Sequence, residues 1–473
     1  MRLKGRLPGD ARVRMAQVKP QLIRDSTRPR RRRPLPPALV FVLGFAALIA
    51  IGAILLSLPL AAASGQATPF IDALFTATSA VCVTGLVVVD TGTYWSGFGQ
   101  TVILLLIQVG GFGFMTGSTL LLLLVVRGRT RLRDRVLVRE SLGGVPLGDV
   151  SGLVRRVALF SLLAEAVGAM VLTISYAGQY TAGPHPLWFG IFHSVSAFNN
   201  AGFDVVGGYA SLTGFAGDFV ILGMHGALIV LGGLGYAMVH DVVIKRRWSR
   251  LALETKIVLS TTVVLLVVGA LSVALLEWNN AATLGSMPEH ERVLNAAFKS
   301  VTARTAGFNS IDNAALLAPA AIVVMGLMFI GAASGSTGGG IKVNTFSVLF
   351  VAVLSTALGR PSAEAFGRRI PHVVVYRALA IALLAVAFHF VAVLVIEAMT
   401  GLSLLDVMFE VVSAFATVGL SRNLTPSLPD PTLVVLIIAM FVGRLGPLTV
   451  VLALTTRSRP VPYRHAVESV RIG

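Results

Sequence analysis

The chain has 473 residues, of which 55% are hydrophobic and 13% charged, with a mean hydropathy of +0.81. That is too apolar for a water-exposed fold and reads as an integral membrane protein. The lone cysteine, Cys82, excludes an internal disulfide framework and a cysteine metal cluster, and the net charge of +17 invites a test for nucleic acid as a partner.

The positions of the basic residues answer that test. All but six of the 39 Lys and Arg fall in five clusters: before residue 34, at 127–156, at 245–256, at 360–377 and from 457 on. Long apolar hairpins separate the clusters, which is positive-inside asymmetry repeated along the chain. It puts both termini and the inter-hairpin loops in the cytoplasm and the chain in the cell membrane as a multi-pass protein. The basic residues lack a stacking platform of aromatics, so no nucleic-acid partner is expected. Membrane lipid is, because the run Arg30, Arg31, Arg32 and Arg33 reads as lying near anionic head groups. No cleavable signal is expected, since the first apolar run follows a long basic leader and is too long for a signal core.

A spanning helix needs about 20 apolar residues, and the run at 37–60 meets that. A short polar link leads to the stretch at 69–78, apolar but too short to cross, then to a loop at 81–90 and a second full run at 96–126. The unit is span, half-helix, loop, span. It recurs with spans at 153–176 and 217–240 around a half-helix at 186–196. The third unit begins near Lys256 and turns through a half-helix at 292–302. Its return run, 314–354, is too long for one span and contains five glycines in the twelve residues from Gly331 to Lys342, which predicts a broken helix with an intramembrane loop. The fourth unit has spans at 374–399 and 431–454 around a half-helix at 404–413. The expected parts are a basic N-terminal segment (1–36), repeat one (37–126), a cytoplasmic loop with repeat two (127–240), a loop with repeat three (241–355), a loop with repeat four (356–456) and a cytoplasmic tail (457–473). The fold class is all-α polytopic membrane protein, with eight transmembrane helices and four re-entrant half-helices around a pseudo-fourfold pore.

Each half-helix ends in small or hydroxyl-bearing residues that lead to one glycine and a large apolar residue: Gly85-Leu86, Gly202-Phe203, Gly307-Phe308 and Gly419-Leu420. A cation that sheds its water needs oxygens in exchange, and backbone carbonyls from four loops around an axis supply them. Glycine suits the positive φ that turns carbonyls inward, and half-helices with their C-terminal ends toward a central cavity add partial negative charge. Small-residue patches also serve as helix-packing contacts. Recurrence at one position of four hairpins favours the pore.

The loops Val83-Thr84-Gly85-Leu86, Asn199-Asn200-Ala201-Gly202-Phe203, Arg304-Thr305-Ala306-Gly307-Phe308 and Thr417-Val418-Gly419-Leu420, with the glycine-rich stretch before Lys342, resemble the Trk/Ktr/HKT superfamily of potassium transporters. The resemblance runs from about residue 37 to the end. It is nearest the KtrB-type ion-conducting subunit, because no extra pair of spans of the TrkH type precedes the first unit. It implies a selectivity filter lined by carbonyls of Val83, Thr84, Gly85, Asn200, Ala201, Gly202, Thr305, Ala306, Gly307, Thr417, Val418 and Gly419. Glycine at all four positions resembles the potassium-selective members, where a first-loop serine would resemble a sodium-preferring plant relative. The resemblance also implies a gate at Gly335, Ser336, Thr337, Gly338, Gly339 and Gly340, with Lys342 beside it and Arg444 in contact. It implies no cofactor, potassium as substrate, sodium as a candidate coupling ion, a homodimer, and a separate cytosolic RCK-type nucleotide-binding ring. One departure is that Thr302 to Gly307 is a residue shorter than Ser196 to Gly202, which puts fourfold geometry in question at the third loop.

Other residues admit two readings. Lys342 reads equally as snorkelling to the cytoplasmic edge or as part of a gate, and Arg444, mid-run, as a structural or gating contact. Asp72, Asp90, Asp204, Asp312 and Asp430 belong to the outer halves of the hairpins, where they steer cations or simply face solvent. His193 and His225 lack metal-ligand spacing and read as hydrogen-bonded core residues, and Cys82 as packing. The glycines at 108–113 and 232–235 read as close helix contacts rather than nucleotide loops. The function expected is potassium uptake by a channel-like translocating subunit. The alternatives are a sodium-selective transporter on the same scaffold and a polytopic membrane enzyme, which lacks a nucleophile and carboxylate constellation.

Overall fold

The computed structural model describes residues 37–129, 150–179 and 184–446, and within them the apolar runs form helices in four successive units. Unit one comprises α1 (Pro37–Ser57), α2 (Phe70–Val81), the one-turn α3 (Thr91–Tyr94) and α4 (Gly97–Arg129). Unit two has α5 (Val150–Gln179), α6 (Pro186–Phe198) and α7 (Phe219–Lys245). Unit three has α8 (Leu253–Glu277), α9 (Glu289–Thr302), α10 (Ala318–Phe329) and α11 (Val343–Ala357). Unit four has α12 (His372–Thr400), α13 (Leu404–Ala416) and α14 (Asp430–Leu445). The expected segments 1–36 and 457–473 fall outside the described residues.

Among the described residues six helices are long and apolar enough to cross a membrane: α1, α4, α5, α7, α8 and α12. Eight spans were expected. The other two are the return runs of units three and four. The first is divided into α10 and α11, of 12 and 15 residues, by the glycine-rich stretch between them. The second is described for only 16 residues, as α14. The short helices α2, α6, α9 and α13 have 12, 13, 14 and 13 residues. At about 1.5 Å per residue they extend roughly 20 Å, too short to cross a hydrocarbon core about 30 Å thick.

Local chemistry sets several boundaries. Asp218 caps α7 by accepting from the backbone N–H groups of Val220 and Ile221, both at 2.9 Å. Gly401, at φ +63, ends α12 in the left-handed conformation. A two-residue turn at Phe366 and Gly367, both at positive φ, closes a small hairpin, β1 (Glu364–Ala365) with β2 (Arg368–Arg369), which departs from the all-helical expectation.

Small residues on the return helices let three of the four short helices end against their neighbours. A Cβ on Gly110, Gly232 or Gly443 would lie 2.1, 1.8 or 1.7 Å from the carbonyl oxygen of Val81, Phe198 or Phe415. Any side chain there would push the return helix off the end of α2, α6 or α13. With no hydrophobic drive between helices in lipid, such close backbone packing is what holds them together. Unit three has no such contact, because its return run is already broken at that depth. In α7 the glycines do more than permit close packing: Gly235 is non-helical (φ 74, ψ 161) and kinks the helix.

Candidate functional site

All four short helices run directly into loops of one backbone form. Val83, Asn200, Thr305 and Thr417 have φ of 52, 58, 70 and 50°, and two residues later Gly85, Gly202, Gly307 and Gly419 have φ of 91, 71, 82 and 93°. A left-handed non-glycine residue is strained, so its repetition at one position in four loops marks a site held in place by its surroundings. The shorter third loop keeps the same form. Its missing residue is taken up between Thr302 and Thr305, before the first left-handed residue.

The four loops close on one another. A Cβ on Gly85 would lie 2.4 Å from the Ala201 carbonyl oxygen, on Gly202 2.6 Å from that of Ala306, on Gly307 2.5 Å from that of Val418, and on Gly419 2.2 Å from that of Thr84. Each glycine touches the next unit, and the last returns to the first. The result is a ring of glycines with a carbonyl oxygen at every junction.

One hydroxyl per short helix pins its loop. Ser79 and Ser413 accept from the N–H of Gly85 and Gly419, both at 3.1 Å. Ser196 and Thr302 instead donate to the carbonyls of Phe203 and Phe308, at 2.7 and 2.8 Å. The hydroxyls of Thr84, Thr305 and Thr417 are buried with no hydrogen-bond partner among the described residues. The oxygens at the four junctions are backbone carbonyls and carry no formal charge.

On one side the ring opens into a cavity of about 540 Å³ that touches all four glycines and Asp90, Asp204 and Asp312. Asp72 and Asp430 do not line it. Asp90 is occupied structurally: it accepts from the N–H and hydroxyl of Thr93 (2.9 and 2.6 Å) and from the N–H of Tyr209 (2.9 Å), tying the first loop to the second. Burial pushes the Asp204 carboxyl up to about 7 from an ordinary 3.8, and the negative charge of Asp90 adds to the shift. Asp204 is therefore charged above about pH 7 and neutral below it.

On the other side lies the glycine-rich stretch between α10 and α11. Its neck is closed by the Gly331 N–H to the Ile341 carbonyl (2.8 Å), and it docks on α7 through Ala333 N–H to Gly233 O (3.0 Å) and Thr337 N–H to Gly232 O (3.2 Å). Thr337 also donates to Asn200 Oδ1 at 2.8 Å. A Cβ on Gly338 would lie 2.3 Å from Thr305 Oγ1, and one on Gly339 2.0 Å from Thr417 Oγ1. The stretch thus abuts the left-handed residues of three of the four loops.

Three cations hold its carbonyls. Arg444, fully buried, donates to Thr337 O and to Gly110 O (3.3 Å), and its guanidinium lies 4.4 Å from the Phe114 ring centre. Lys342 donates to Gly338 O and shares the same ring at 4.8 Å, so it turns into the protein rather than snorkelling outward. Arg304 donates to Gly331 O at 3.2 Å. The contact expected of Arg444 is present. The one made by Arg304 was not anticipated, although a buried arginine in an apolar run carries that signal.

A second signal also went unread. Aligned on Ser79, Ser196, Thr302 and Ser413, the short helices all carry phenylalanine four residues earlier: Phe75, Phe192, Phe298 and Phe409, buried at 0, 0, 4 and 0% exposure. These rings anchor the four half-helices in the core at equivalent positions.

Comparison with known proteins gives a consistent result. The family model described as TrkH, cation transport protein, matches residues 44–459. The chain is 39% identical over 415 residues to the Ktr system potassium uptake protein B of Bacillus subtilis, covering 88% of this chain and 92% of that one. It is 37% identical over 448 residues to the potassium/sodium uptake protein NtpJ of Enterococcus hirae, covering 93% and 98%. The crystal structure of the potassium transporter TrkH from Vibrio parahaemolyticus superimposes with a TM-score of 0.68 at 20% identity, covering 90% of this chain and 87% of the other, which is a likeness of fold.

Proposed function

The chain belongs to the TrkH family of cation transport proteins, and from that premise we propose that it is the translocating subunit of a Ktr-type potassium uptake system, conducting through the glycine ring. The observation that carries this is the closure of four left-handed glycine loops into one ring. Its junction carbonyls offer a dehydrated potassium ion oxygens in place of water. The buried, unpartnered hydroxyls of Thr84, Thr305 and Thr417 stand at the same ring and can add further oxygens. The glycine-rich stretch that abuts Asn200, Thr305 and Thr417 is the gate, held shut by Arg444, Lys342 and Arg304. Family membership removes the polytopic-enzyme alternative.

The test is flux. Purified protein in liposomes is expected to pass rubidium in preference to sodium, and absence of any cation flux would falsify the ring as a conduction path. A sodium-conducting reading is favoured by one observation, that a relative 37% identical is a potassium/sodium uptake protein. Glycine at all four ring positions supports potassium. Sodium flux at or above rubidium flux would reverse the order of the two readings.

In the assembly we propose, two copies pair, both termini face the cytoplasm, sodium is a candidate coupling ion, and a cytosolic RCK-type ring docks on the basic cytoplasmic loops. The cavity with Asp90, Asp204 and Asp312 is then the outer mouth. Rubidium uptake from dilute solution is expected to fall between pH 8 and pH 6 as Asp204 loses its charge. Asp204→Asn is expected to flatten that profile at the lower level. A variant that keeps the wild-type slope would remove Asp204 from the steering role.

A further inference from the structure

Immediately after the buried phenylalanines, the four short helices carry Thr76, His193, Lys299 and Glu410 at one equivalent position. These side chains are buried at 1, 0, 0 and 1% exposure. Three of the four can carry charge, in a place where an unpaired charge is costly. Each of the three makes a hydrogen bond to the loop that follows its own ring glycine. His193 Nε2 accepts from the Val205 N–H at 3.3 Å. Lys299 donates to Asn313 Oδ1. Glu410 accepts from the hydroxyls of Ser421, at 3.1 Å, and Thr425. Thr76, shorter than the others, has no hydrogen-bond partner among the described residues.

The bonds extend beyond single pairs. Asn313 Nδ2 donates to Ser421 O at 3.0 Å, so a chain of bonded residues runs Lys299, Asn313, Ser421, Glu410, from a buried lysine in unit three to a buried glutamate in unit four. Arg422 braces it by donating to Asn313 O (2.8 Å), Ala314 O (3.1 Å) and Asp406 (2.6 Å). In unit two, the His225 Nδ1 can only donate to the Ile221 carbonyl at 2.8 Å, which leaves its Nε2 to accept from His193 Nδ1 at 3.1 Å. His193 is then left with Nε2 as the acceptor that Val205 needs. The tautomers are set by the partners.

We infer that His193, Lys299 and Glu410 are positioning residues for cation discrimination, each a strut holding the outer shoulder of its loop so that the ring keeps one span. A ring of neutral carbonyls tells ions of different radius apart through the number and spacing of its oxygens, and carbonyls left unbraced can close on the smaller ion. Paired, buried polar groups are stiff because releasing any one of them leaves the others unsatisfied. The inference rests on the ring being the conduction path.

Sodium and rubidium fluxes of the full-length protein in liposomes test it. Glu410→Leu and Lys299→Met are each expected to raise the sodium-to-rubidium flux ratio by about fivefold or more, as expected from loss of a buried hydrogen bond, while rubidium still passes. Because both belong to one hydrogen-bonded chain, the double variant is expected to match the larger single change rather than the product of the two. Glu410→Gln, which keeps an acceptor oxygen at the same reach, is expected to recover part of the ratio. If either single variant does not fold, Ser421→Ala with Thr425→Val removes the same contact from the loop side and is read the same way. Folded variants with the wild-type ratio would reduce the three residues to packing. Loss of cation flux in the unmodified protein would instead overturn the conduction path itself, so the two failures are distinct.

Discussion

Gly85→Ser is expected to raise the sodium-to-rubidium flux ratio by about tenfold or more, since about 1.4 kcal/mol of differential binding already gives a factor of ten. Two costs coincide at this residue. Its φ of +91° is one that side chains disfavour by roughly 1–2 kcal/mol. Its Cβ would also stand 2.4 Å from the Ala201 carbonyl oxygen, a backbone atom that cannot swing aside. The first loop must therefore retreat from the second, and the junction oxygen moves with it. Gly419 is tighter still, with Thr84 O at 2.2 Å, so Gly419→Ser is expected to be at least as severe. Parallel isotope fluxes in liposomes, with a thermal melt to confirm folding, measure the effect. A folded Gly85→Ser protein with wild-type selectivity would separate the ring from ion discrimination.

Excising residues 335–339 is expected to raise rubidium flux by about tenfold or more, on the scale of losing one charged hydrogen bond from the barrier. The cut lies inside the neck where Gly331 bonds Ile341, so α10 and α11 keep their junction. It removes Thr337, the residue that ties the stretch to Asn200 and accepts from Arg444. Arg444→Gln is expected to act in the same direction but less strongly, because Lys342 and Arg304 still hold Gly338 O and Gly331 O. Selectivity should change little in either variant, since the pins at Ser79, Ser196, Thr302 and Ser413 are untouched. Unchanged or reduced flux after excision would make the stretch a packing element rather than a gate.

The two predictions draw on different levels of information. The break between α10 and α11 was legible from residue types, because glycine, serine and threonine in that density cannot sustain a helix in any context. So were the four half-helices, whose apolar runs are too short to cross. Their ends were less legible. The expected 69–78 and 404–413 extend to Val81 and Ala416, because the carbonyl-accepting glycines Gly110 and Gly443 let the return helices cover those last turns. Asp90 and Lys342 each admitted two readings, and the choice depended on Thr93, Tyr209 and Gly338, residues whose proximity no spacing rule supplies.

What the sequence alone determined is therefore local and periodic: an apolar chain, basic loops, four repeated units, and glycine where the backbone turns left-handed. These follow from transfer energies and from the sterics of single residues, which hardly depend on the rest of the chain. The tertiary structure alone decided the closure of the ring, in which the oxygen against each glycine comes from the next unit, roughly 110 residues or more away. It also decided that a lysine in unit three and a glutamate in unit four meet through Asn313 and Ser421. Such contacts are made only when distant segments are brought together at hydrogen-bonding distance. Their strength depends on the exclusion of water that the assembled fold provides.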